Sequence, residues 1–336
     1  MNSIVTAVVS LSGLGLVFGA GLAVAAKVFA VEVDPKVEEV RGALPGANCG
    51  ACGFPGCDGL ASAIASGSAP VNGCPVGGAV SAERIAEIMG ATAGGVEKQV
   101  ARVTCGGTRC NAFEKFEYAG IQDCKAAALV SGGSKACSYG CMGLGTCVSV
   151  CQFDAIDIID GIAVINPEKC TSCERCVTEC PKAVIKMVPY EQKVVVDCNS
   201  KEFGKDVKVK CTVGCIGCQI CVKACPFGAM EFENNLATIN YEKCTNCMIC
   251  AEKCPTKAIW ADFASRKKAY IHDEKCIGCT ICKKQCPVDA IEGELKAKHT
   301  IIEDKCIGCE ACAKKCPKDA IEMIQTSKIE SKNLLN

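Results

Sequence analysis

Histidine is nearly absent: His272 and His299 are the only two in 336 residues. That leaves little room for imidazole ligation, a Rieske-type centre or a catalytic site built on a histidine base. Net charge is missing as well, since 37 Lys and Arg balance 37 Asp and Glu. No G-x-G-x-x-G follows a strand-like run, so a Rossmann dinucleotide loop is not expected, and nothing in the chain reads as a flavin or nicotinamide site. Residues 1–26 carry no charged side chain. What the chain has in excess is cysteine, 33 in all.

The cysteines are patterned. Cys276-Ile-Gly-Cys279-Thr-Ile-Cys282-Lys-Lys-Gln-Cys286-Pro287 sets three thiols two residues apart and a fourth beside a proline. This is the spacing of a cubane loop, in which the first three thiolates hold one cluster and the fourth reaches the neighbouring one. Structural zinc uses separated cysteine pairs, and a disulfide scaffold would not repeat a cluster triplet. A chain that folds around thiolate-bound iron needs a reducing compartment. Each oxidised cubane with its thiolates carries a charge of about −2, so the loaded protein is acidic, which argues against nucleic-acid binding.

The run from Ile4 to Ala26 is apolar or small almost throughout. As a helix it rises about 35 Å, enough to cross a hydrocarbon core of about 30 Å. A cleaved signal peptide would have a basic start and a shorter apolar run. Gly15 and Gly19 stand in a G-x-x-x-G register suited to close packing with another membrane helix. The charges just after the run do not set its orientation. Clusters assembled in the cytoplasm do, and put the long C-terminal part on that side.

Beyond it, Cys49, Cys52, Cys57 and Cys74 are spaced C-x2-C-x4-C-x16-C, four thiolates for one cubane, with zinc as the alternative. Ser81 to Met89 reads as a short amphipathic helix with Ser81 as its cap.

From Cys137 onward the chain repeats. Six segments, beginning at Cys151, Cys180, Cys225, Cys254, Cys286 and Cys316, run from a cysteine to alanine and an aliphatic residue. Each unit reads as a cluster loop, one helical turn and a short strand, such as Ile162–Ile165 or 237–239. A unit of this size cannot bury a core alone, so neighbours should pair around two cubanes. Crossed ligation gives Cys276, Cys279, Cys282 and Cys316 one cluster, and Cys286, Cys306, Cys309 and Cys312 its partner. Likewise Cys215, Cys218, Cys221 and Cys254 face Cys225, Cys244, Cys247 and Cys250.

The first pair departs from the pattern, with Leu144 at the second triplet position. Cys137 is the expected substitute, so Cys137, Cys141, Cys147 and Cys180 are grouped opposite Cys151, Cys170, Cys173 and Cys176. These sets make seven [4Fe–4S] clusters. Cys105, Cys110, Cys124, Cys198 and Cys211 are left over. The spacing Cys124-x12-Cys137-x3-Cys141 recurs as Cys198-x12-Cys211-x3-Cys215, which suggests an eighth cluster on Cys105, Cys124, Cys198 and Cys211. Buried free thiols are the alternative.

The expected fold class is α+β: one N-terminal transmembrane helix, a small four-Cys 4Fe-4S domain and three tandem bacterial two-cluster ferredoxin-like units. The boundaries are an anchor over 1–31, the four-Cys domain over 33–95 and a Cys-containing linker over 96–136. The first pair follows over 137–189, an insert over 190–210, then pairs over 211–264 and 265–325. A disordered tail is expected over 326–336.

An apolar helix followed by Asn48-Cys49-Gly50-Ala51-Cys52-Gly53-Phe54-Pro55-Gly56-Cys57 and then ferredoxin repeats resembles RnfB, the iron–sulfur protein of the Rnf complex, a membrane ferredoxin:NAD oxidoreductase called Rsx in some bacteria. The resemblance runs from residue 1 to about 325, in a version with three ferredoxin pairs where many members carry one. It implies a subunit of a translocase-type oxidoreductase with no catalytic site beyond electron transfer. Such a subunit takes electrons from reduced ferredoxin and passes them to the other Rnf subunits (A, C, D, E and G), which reduce NAD and pump Na⁺ or H⁺. It also implies a single-pass protein of the cell membrane, joined to those subunits through its helix and cytoplasmic face. A cluster storage or delivery scaffold is one alternative. A corrinoid-linked protein is another, because a similar four-Cys unit occurs in the large subunit of the corrinoid iron–sulfur protein.

Overall fold

The structure, a computed structural model, describes residues 2–28, 34–95 and 97–325, which divide into two compact units at Gly95. The expected tail over 326–336 lies outside the described residues, as do 29–33 at the end of the anchor.

The first unit opens with a helix over Asn2–Val28. Its span from Val5 to Val28 is long and apolar enough to cross a membrane, and none of its most apolar stretch is buried against the rest of the chain. An added Cβ at Gly13, Gly15, Gly19 or Gly21 would meet nothing within 4 Å. Three shorter helices follow, over Pro35–Ala43, Gly56–Ala65 and Gly78–Met89. Asp34 caps the first, accepting from the Lys36 amide at 2.9 Å, and Pro35 stands where no amide partner is needed. Val40, Leu60, Ile64 and Ile85 are fully buried among them. Burial of each such aliphatic side chain contributes about 1.5–3 kcal/mol before entropy is charged.

The third helix starts earlier than the sequence predicts. Ser81 lies inside it, its amide bonded to the Gly77 carbonyl at 3.2 Å, so it is not the cap. The Gly77-Gly78 step lets the chain turn into a helix immediately after Cys74, with Gly78 at φ +55°.

The second unit contains three copies of one plan. In each, a short inner hairpin lies between two cluster loops, and an outer pair of strands joins the start of the copy to its end. The inner hairpins are Ile156–Ile159 with Ile162–Ile165, Met230–Glu233 with Leu236–Ile239, and Ile291–Glu292 with Thr300–Ile301. The outer pairs are Gln99–Val103 with Ile185–Pro189, Val194–Val196 with Ile259–Ala261, and Lys267–Ile271 with Ile321–Gln325, all antiparallel. The first copy therefore begins at Gln99 and the second at Val194. The expected linker over 96–136 and insert over 190–210 each contain an outer strand.

Each copy has a thin core that includes its own cysteines. Val194, Val196, Met230, Leu236 and Ile259 pack with Cys221 and Cys250 in the second copy. Ile271 and Ile291 do the same with Cys282 and Cys312 in the third.

Candidate iron–sulfur sites

The third copy shows the local geometry most plainly. Its first loop places Gly278 in the left-handed region at φ +68°, where an added Cβ would stand 2.5 Å from the Ala297 carbonyl oxygen. Only glycine lets the loop lie this close to the hairpin behind it. Thr280, also left-handed at φ +60°, then starts the single turn Ile281–Gln285 that carries Cys282. The same left-handed step precedes the third cysteine at Glu174, Gln219, Met248 and Glu310.

These loops bring thiols together in fours. Cys276, Cys279, Cys282 and Cys316 line one cavity, and Cys286, Cys306, Cys309 and Cys312 line the next. The fourth cysteine of each loop thus crosses to the other set. In the second copy Cys215, Cys218, Cys221 and Cys254 line a cavity. In the facing set burial first raises the pKa of Cys244, Cys247 and Cys250, and neighbouring thiols add to it: Cys225 acts on Cys244 and Cys247, and those two act on Cys250. In the first copy Cys176 is pushed up to about 12, by burial first and then by Cys170, Cys173 and Cys151. In the four-helix unit Cys57 and Cys52 act in the same way on Cys74, after burial. There the Asn48 side-chain oxygen accepts from the Cys57 amide at 2.8 Å and holds the loop.

Backbone amides point at the sulfurs. Those of Ala229, Ala290 and Ala320 donate to Cys225, Cys286 and Cys316 Sγ at 3.2–3.3 Å, each four residues on. Gly77 donates to Cys74 Sγ at 3.3 Å. Such bonds stabilise the thiolate form and tune a cluster's potential. The buried Thr171 hydroxyl, next to Cys170, has no partner among the protein atoms. Among the described residues no three His, Cys, Asp or Glu side chains converge on a point that could hold a single metal ion. The thiols of these sets surround spaces of about 320–370 Å³, counting their open mouths. Four thiols around one such space are the ligand set a cubane takes.

Known families match these loops. Models described as "4Fe-4S dicluster domain" match residues 269–323, 214–259 and 243–290, and a "4Fe-4S binding domain" matches 163–186. A "Putative Fe-S cluster" family matches residues 44–76. The chain is 52% identical over 245 residues to the B component of the Na(+)-translocating ferredoxin:NAD(+) oxidoreductase complex of Acetobacterium woodii, covering 73% of this chain and 74% of that one. It is 44% identical to the B component of the ion-translocating oxidoreductase complex of Methanosarcina acetivorans, over 77% of this chain and 99% of the relative. The proton-translocating counterpart from Clostridium ljungdahlii is 45% identical, over 73% and 87%. The chain belongs to the RnfB family.

In this RnfB-family chain the two cysteine groups that depart from the simple repeat are arranged differently from the expectation. Cys137 does not join Cys141, Cys147 and Cys180. It lines a separate cavity with Cys105, Cys198 and Cys211. Cys124 takes its place: the Cys147 thiol is pushed up to about 12 by burial and then by Cys141, Cys124, Cys176 and Cys180. The cause is local. Asp123 caps the helix Cys124–Leu129, accepting from the Ala126 amide at 2.8 Å. Its other oxygen accepts from the Thr146 hydroxyl at 2.7 Å, and that hydroxyl accepts from the Cys124 amide at 2.6 Å. Cys124 is thereby pinned beside Thr146-Cys147. Cys110 is exposed and lines none of the four cysteine cavities.

Proposed function

We propose that this RnfB-family chain is the membrane-anchored relay of its complex, accepting electrons from reduced ferredoxin and handing them to the subunits that reduce NAD and move ions. The helix Asn2–Val28 serves as its single membrane pass, with the cluster-bearing part in the cytoplasm, and Gly15 and Gly19 offer a packing face to the other Rnf subunits (A, C, D, E and G). Seven [4Fe–4S] clusters are held by Cys49, Cys52, Cys57 and Cys74; by Cys124, Cys141, Cys147 and Cys180; by Cys151, Cys170, Cys173 and Cys176; and by the four sets of the second and third copies described above.

The observation that carries this reading is that neighbouring cysteine sets in the second unit share buried clusters: Cys147 with Cys176, Cys221 with Cys250, and Cys247 with Cys309. Cys247 acts on Cys309, and the two are buried together with Ile307 between the second and third copies. Cys221 acts on Cys250, and Cys176 on Cys147. Such groups supply one-electron transfer when bound. The chain's own residues hold them apart from water and fix their spacing. Amides from Ala229, Ala290 and Ala320 bias each cluster's potential by donating to its thiolates.

The reading is tested by mixing the anaerobically loaded full chain, in detergent, with reduced ferredoxin. The relay requires bleaching of the cluster absorbance and the appearance of reduced-cluster EPR signals. A loaded chain that dithionite reduces and ferredoxin does not would refute it. Surrender of iron to apo-proteins under the same conditions would point to storage instead.

A further inference from the structure

The fourth cavity is built from two copies at once. Cys105 stands two residues beyond the outer strand Gln99–Val103, and Cys198 stands two residues beyond the outer strand Val194–Val196. Cys137 and Cys211 each precede by four residues the first cysteine of a cluster loop, Cys141 and Cys215. The hydrogen bonds repeat in the same way. The Cys141 amide donates to Cys105 Sγ at 3.4 Å, and the Cys215 amide donates to Cys198 Sγ at 3.3 Å. Each copy therefore gives two equivalent cysteines to one space, related by the repeat and not by adjacent sequence.

The walls are tied across the join. The Gly106 amide donates to the Asp197 carbonyl at 2.9 Å, Phe113 to Lys210 at 3.0 Å, and Thr212 to Asn111 at 2.9 Å. Lys135 forms part of the lining and is 4% exposed. Its ammonium donates to the Gly107 and Gly161 carbonyls at 2.6 and 2.9 Å. No carboxylate pairs with it among the described residues. A buried cation without a counter-charge is costly, and an anionic thiolate cluster beside it would offset that cost. The facing carboxylates do not fill this role: Asp197 pairs with Arg102 at 3.2 Å and Glu202 with Lys210 at 2.6 Å. None of the matched family regions contains any of the four cysteines.

We propose that Cys105, Cys137, Cys198 and Cys211 hold an eighth [4Fe–4S] cluster, seated in the join between the first and second ferredoxin-like copies. The site deepens the relay reading, on which it rests for its purpose. A group bound there supplies a one-electron centre flanked by Cys141 of one set and Cys215 of another. Without it, no cysteine set bridges the first copy to the second among the contacts described.

The test is iron and acid-labile sulfide per chain for the anaerobically loaded full-length protein. Eight clusters require about 32 of each, and seven about 28. Cys198→Ala and Cys211→Ala should each lose about four iron, whereas Cys110→Ala should match the parent. A parent with about 28 iron, a Cys198→Ala chain with the parent's full count, or zinc in place of iron at this site would each overturn the proposal. Should a variant fail to fold, the parent's count decides alone. Failure of the relay is read separately: about 32 iron with no reduction by ferredoxin leaves the eighth cluster standing and removes the relay.

Discussion

The third ferredoxin-like copy passes almost directly from its outer strand, ending at Ile271, to its first cluster cysteine, Cys276. The first two copies detour. Between Val103 and Cys141, and again between Val196 and Cys215, the chain inserts a helical turn and extra cysteines. The third copy is self-contained in its ligands, with both thiol sets inside its own fold, and meets the second copy where Ile307 and Cys309 pack with Cys247. The first two are interlocked, sharing a cavity and a row of backbone bonds. A small cluster-binding fold can thus gain a partner by lengthening one connection, because that connection leaves an outer strand at the edge where another copy can dock.

The largest effect should follow from removing iron altogether. Each copy's core is thin and includes its own cysteines, so cluster binding is part of its folding energy. Chelation under anaerobic conditions should therefore expose the second unit to protease. The third copy should be cut first, since its inner hairpin pairs only Ile291–Glu292 with Thr300–Ile301 and no second copy braces it with bonds like those at Gly106 and Phe113. Limited proteolysis with mapped fragments checks this. Early cleavage in the first two copies, with the third intact, would invert the comparison.

A smaller, more local effect separates the first copy from the third. Cys124→Ala should remove about four iron, because that set has no other fourth thiol. Leu144 stands at the chain position that Cys279 holds in the third copy. Leu144→Cys in the Cys124→Ala background should restore those iron atoms, with iron content and EPR intensity as readouts. No recovery would mean that the first loop has diverged in shape as well as in sequence.

How much of this was legible in the residues depends on what the signal measures. Triplet spacing and the fourth cysteine are local, and they pointed to the groupings at Cys276 through Cys316 because ligation there follows one short loop plus one crossing. The outer strands carry no such local signal. Gln99–Val103 finds its partner at Ile185–Pro189, and a five-residue strand so far from its mate carries no local signature. The exchange of Cys124 and Cys137 relative to the expectation follows from these strands. Counting residues made Cys124 the equivalent of Cys198, both thirteen before the next cysteine of the motif. The fold makes Cys105 the equivalent, because equivalence follows position after the outer strand. Ser81 departs from expectation for a related reason: it has capping chemistry, but the glycines that follow Cys74 start the helix before it.

Glycine substitutions should give the next effect in size. Gly278→Ala meets both the left-handed backbone and the Ala297 carbonyl, and should destabilise the third copy by about 1–3 kcal/mol. Gly53 is equally left-handed at φ +81° but has open space around it. Its alanine variant should cost about 1 kcal/mol, the backbone term alone. Anaerobic denaturation followed by cluster absorbance can compare the two. Equal costs would show that the close approach of loop and hairpin contributes nothing.

The smallest effect tests the join itself. Arg102, on the outer strand of the first copy, pairs with Asp197 at 3.2 Å and lies over the Trp260 ring at 4.1 Å. Both ring and carboxylate belong to the second copy. Burial raises the Asp197 pKa while Arg102 opposes the rise, so removing the guanidinium leaves a costly carboxylate at the cavity wall. The ion pair is partly exposed, which limits its worth. Arg102→Ala should cost about 0.5–1 kcal/mol, less than breaking a fully buried pair. The loss should fall on the first two copies and spare the third, read as earlier hydrogen exchange near Gly106 and Thr212 with unchanged exchange in the strand Lys267–Ile271. Uniform loosening of all three copies would mean that they melt as one body.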